Sequence, residues 1–118
     1  MIELASIESV VEQYSRFGWI LRRILLTNEN YGTLEHVLTI RFSDVSARPA
    51  NIDALWFSRS NRNAETWELR RLSGSPFALV QVIDAETPDE VREEVLQTLE
   101  IRMAESLSEP SREIPLEK

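Results

Sequence analysis

A chain of 118 residues with 42 % apolar and 28 % charged side chains has the length and balance of one soluble globular domain, large enough to bury a core without staples. It contains no cysteine, which excludes disulfides, a thiolate nucleophile and cysteine-based zinc sites. No stretch approaches the ~20 apolar residues of a membrane span, and the first residues lack a basic region followed by an apolar run, so a cytoplasmic protein with no membrane partner is expected.

The net charge of −7 is unevenly spread. Residues 16–71 hold nine Arg against six acids, whereas residues 84–118 hold eleven acids against four bases. An acidic C-terminal third of this kind ordinarily keeps a domain soluble.

In chain order, Ile7, Val10, Val11, Tyr14 and Phe17 form an i, i+3, i+4, i+7 stripe that reads as a helix over 6–17, ended by Gly18. Residues 19–26 read as a strand, apolar on both sides apart from Arg22 and Arg23. Residues 27–33 have turn chemistry. Leu34, His36, Leu38, Ile40 and Phe42 alternate, which predicts a strand over 34–42, with a short helix as the rival reading. Residues 43–51 form a polar connection containing Pro49.

Residues 52–59 and 64–72 form the clearest hairpin. The predicted register opposes Trp56 to Trp67, Ala54 to Leu69 and Asp53 to Arg70, with Ile52, Ala54, Trp56, Trp67 and Leu69 facing the helices. Residues 77–83 are an apolar, β-branched run read as a buried central strand. The period then changes. Thr87 suits an N-cap, Pro88 the first helical position, and Glu90 completes a capping box. Val91, Val95, Leu99 and Met103 follow at a four-residue spacing as the apolar stripe of an amphipathic helix, widened by Leu96.

The predicted fold is α+β: an antiparallel sheet of four to five strands with an N-terminal and a C-terminal helix on one face, in the order α-β-β-β-β-β-α. Residues 1–106 form a single domain in this reading, and 107–118 a disordered acidic tail.

Chemistry-bearing motifs are absent. His36 is the one histidine, on an alternating segment with no nucleophile beside it, and reads as structural. Asp89, Glu90, Glu93 and Glu94 sit at a helix N-terminus, where the dipole favours acids without any catalytic role. The glycines at 18, 32 and 74 make no dinucleotide or P-loop pattern. No catalytic residue, metal ligand or cofactor is therefore assigned.

Arg22, Arg23, Arg59, Arg62, Arg70 and Arg71 interleave with Trp56, Phe57 and Trp67, the composition of a single-strand nucleic-acid platform. Net charge and the absence of an RNA-binding signature weigh against it. The more useful clue is that residues 20–26 and 78–83 are apolar on both sides, while Leu55 and Phe57 project opposite Trp56. Two-sided strands need cover on both faces. The expectation is a non-catalytic protein–protein interaction module, a homodimer or a partner of another protein. Its partner surface carries Leu55, Phe57, Arg70, Val80 and Val82. A small-molecule or enzymatic pocket between sheet and helices is the alternative.

Overall fold

A computed structural model describes residues 2–108 and contains three helices and five strands. They are α1 (Leu4–Ser15), β1 (Ile20–Leu26), α2 (Asn28–Arg41), β2 (Ser46–Pro49), β3 (Ala54–Ser60), β4 (Ala64–Arg71), β5 (Ala78–Asp84) and α3 (Asp89–Ser108). The fold is α+β, with one mixed sheet in the order β2-β1-β3-β4-β5. All pairs are antiparallel except β1–β2, which is parallel and joined through α2. The backbone of α3 takes in the first two residues of the expected tail; the remainder, 109–118, lies outside the described residues.

The segment 34–42 is helical, not a strand. Leu34 and Leu38 are buried four residues apart, a spacing that serves alternation and a helix equally, while His36 and Ile40 point to solvent. The residues read as a turn form the first turns of this helix. Asp53 accepts the Thr27 backbone N–H at 2.8 Å and the Asn30 Nδ2 at 3.1 Å, which satisfies donors otherwise orphaned at a helix start. The fifth strand is instead β2, within the expected polar connection; Pro49 is tolerated there because β2 is an edge.

The helices take both faces rather than one. Leu96, Leu99 and Met103 of α3 pack on Leu25, Ala54, Trp56, Trp67, Leu69 and Ile83. On the opposite face Ile7 of α1 and Leu34 and Leu38 of α2 pack on Ile24, Leu26, Leu55 and Phe57. The sheet is therefore the middle of three layers, and its most buried strand is β3. The run read as central, β5, is an edge strand.

The hairpin is registered two residues from expectation: Trp56 opposes Leu69 and Ser58 opposes Trp67. The Asn61 side chain accepts the backbone N–H groups of Asn63 and Ala64 and so sets the turn. A slip of two keeps every side chain on its face. Trp56 and Trp67 still meet diagonally, edge to face at 5.9 Å. An irregularity between Leu21 and Arg23 turns Arg22 and Arg23 to one side, over the Trp67 ring at 4.7 and 5.6 Å.

Candidate partner surface and clefts

Two diagonal quarters of the sheet are left open. The larger groove, about 440 Å³, lies between α3 and the β1–β2 side, where Arg48, Asn51 and Ile52 face Gln97, Glu100 and Ile101. Arg48 Nη2 meets both Glu100 oxygens at 3.0 and 3.1 Å, and Trp56 Nε1 donates to the same carboxylate at 2.8 Å. An adjoining cleft carries the Arg23–Glu93 pair, at 2.6 Å. That hydrogen bond from Arg23 outweighs partial burial and holds the Glu93 carboxyl below its ordinary value. Cations of the sheet and anions of the helix satisfy one another here, so the arrangement ties α3 across the sheet. Among the described residues no three His, Asp or Glu side chains gather as a metal site requires, and exposed His36 on α2 lines neither cleft.

The other open quarter lies on the α1 side of β4 and β5. Val80 is 55 % exposed and Val82 60 % exposed, and Arg70 lies on the neighbouring strand opposite Ala78. Leu55 and Phe57, assigned to the same surface from sequence, are fully buried: α1 and α2 cover that part of β3, and the Phe57 ring stacks on Tyr14 at 4.0 Å. Of the residues assigned to that surface from sequence, Val80 and Val82, beyond α1, are the ones that stand exposed. The aromatic rings of the nucleic-acid reading are likewise core, since Trp56, Phe57 and Trp67 are all buried.

The backbone of β5 adds what side-chain patterning does not reveal. Arg71 N–H donates to Phe77 O, and Ala85 N–H to Asn63 O, so the odd-numbered residues of β5 face β4. Residues 78, 80, 82 and 84 thus direct their main-chain groups outward along the free edge. The two sheet edges differ. β2 is four residues long, ends in Pro49 and carries Arg48, all devices that block strand addition. β5 has seven residues, with neither proline nor charge from Ala78 to Ile83.

At the α1 end of this quarter, Tyr14, Phe17 and Trp19 surround a small cleft beside Glu68. Tyr14 donates its hydroxyl to Glu68; burial, together with that carboxylate, pushes the phenol up, so it stays protonated. No helix of the described residues is long and apolar enough to cross a membrane. No family model, curated protein or solved structure matches the chain.

Proposed function

We propose that the protein is a non-catalytic interaction module that self-associates by pairing its β5 edge with β5 of a second copy. The observation that carries this reading is an edge strand without proline, and without charge from Ala78 to Ile83, whose outward main chain and exposed Val80 and Val82 lie side by side. The strand is self-complementary. An antiparallel pair with its twofold axis at Gln81 sets Val80 opposite Val82 of the partner copy, and Val82 opposite Val80. Four valines then form one continuous stripe on the α1 side, with Leu79 opposite Ile83 on the other.

This register matches only outward-facing residues with one another. It makes roughly six main-chain hydrogen bonds, allowing for the Asp84 carbonyl already taken by Thr87 N–H and with the Val82 carbonyl, which accepts from Gln81 Nε2 at 3.1 Å, using its second lone pair. Asp84, the one charge on the strand, falls opposite Ala78, so no like charges meet. An interface of one strand edge and four valines is at the small end of the specific range, and micromolar association is expected.

Light scattering of the full chain tests the reading. A dimer mass is expected at high micromolar concentration, with a monomer mass for Val82→Lys, which places two ammonium groups beside the twofold axis. A strict monomer for the native chain at high micromolar concentration contradicts it.

A further inference from the structure

The cleft at the end of α1 holds about 300 Å³, with Tyr14, Phe17 and Trp19 as walls and Gln13 and Glu68 as its polar lining. We infer that it binds the head group of a quaternary or methylated ammonium ion, with the rings as π surfaces and the Glu68 carboxylate as counter-charge. Its lining shares no residue with β5, although Glu68 lies across from Val80.

The walls are held in place from behind. Tyr14 is stacked on Phe57 at 4.0 Å and 9°, and its hydroxyl is fixed by Glu68. Trp19 meets it at 69°, with ring centroids 5.9 Å apart, so the two rings form a corner. Gly18, at φ 84°, makes the turn that brings Trp19 back, and Trp19 N–H donates to Tyr14 O at 3.2 Å. Arg59 braces the corner, lying over the Trp19 ring at 4.8 Å and donating to Phe17 O at 2.7 Å; it does not line the cleft. Phe17 is 70 % exposed. A phenyl ring held in water at the mouth of an aromatic corner is the feature that the packing of the fold leaves unexplained.

Aromatic faces around an anion attract cations, and the choice among cations follows from the acceptors. One carboxylate and the Gln13 amide oxygen are the side-chain acceptors of the lining, and the Tyr14 hydroxyl already occupies one carboxylate oxygen. A guanidinium has five donors and a primary ammonium three, and either would leave donors unmet on these rings. A methylated ammonium has few or none and is satisfied by π faces and one diffuse negative charge. The volume is at the lower end for ligand sites, which suits a head group rather than a whole cofactor. Arg59, over Trp19, and Arg70, two residues along β4 from Glu68, are the opposing charges, and neither is in the lining.

The test titrates choline, tetramethylammonium and the neutral carbon analogue of choline into the full chain, following the Trp19 indole N–H by NMR. Saturable binding of both cations is expected, with the carbon analogue about tenfold weaker or more. Phe17→Ala and Glu68→Gln should each weaken choline about tenfold without unfolding the chain, since Phe17 is exposed and Gln retains an acceptor for Tyr14. A peptide bearing trimethyl-lysine separates the sources. Tighter peptide binding assigns the head group to a modified protein, tighter choline binding to a free small cation, and equal binding to the head group alone. Equal binding of choline and its carbon analogue, or no saturation by any cation, overturns the inference.

Discussion

Truncating Phe57 to alanine measures how far the cover supplied by α1 and α2 belongs to the core. Phe57 is fully buried on the central strand, stacked on Tyr14 and packed in the cluster with Ile7, Ile24 and Leu55. Removing a buried phenyl costs about 3–5 kcal/mol, of which the ring stack accounts for roughly 0.5–1.5. Against a total stability of about 5–15 kcal/mol for a domain this is a large fraction. At about 4 °C per kcal/mol for a chain of this length, Tm should fall by roughly 12–20 °C. The assay is urea unfolding followed by tryptophan fluorescence, run dilute enough that association does not contribute. A loss within about 0.5 kcal/mol, the figure for a surface side chain, would refute the placement of α1 over β3.

Asp53→Ala should cost about 1–3 kcal/mol, because Thr27 N–H and the Asn30 amide at the start of α2 lose their acceptor; helical circular dichroism and urea midpoints check it. The Arg23–Glu93 pair contributes a pH dependence of definite sign. The Glu93 carboxyl is lowered in the folded state, so its stabilisation is fully present above the unfolded carboxylate range, near pH 4.3, and fades as pH falls through the lower folded value. Glu93→Gln should remove that part of the acid slope, and an unchanged slope would show that solvent screens the pair completely.

Much of the architecture is carried by local pattern. The first helix, the 19–26 strand, the hairpin and the strand-to-helix corner after Ile83 each follow from periodicity and punctuation that tertiary contacts do not override. Local pattern does not reveal α2, for a definite cause. Gly32, Asn28 and Asn30 are poor helix formers, and Asp53, which satisfies the start of the helix, is distant in sequence. A strand over 34–42 would remove one covering helix and leave Leu55 and Phe57 bare. Alternation puts them on the same face of the sheet as Val80 and Val82, with β4 between the two pairs. Where cover ends is a matter of helix position over the sheet, which no spacing along the chain encodes. Phe17 was drawn into the first helical stripe, but α1 stops at Ser15 and the ring emerges at the corner.

Amide hydrogen exchange at Val80 and Val82 over a dilution series tests the role of the β5 edge most directly. Their N–H groups point away from β4, so self-pairing predicts protection at high micromolar concentration that is lost on dilution to low micromolar. Fast exchange at every concentration would contradict it. Protection that persists at a concentration where light scattering gives a monomer mass would also contradict it, because something other than a second copy then covers the edge.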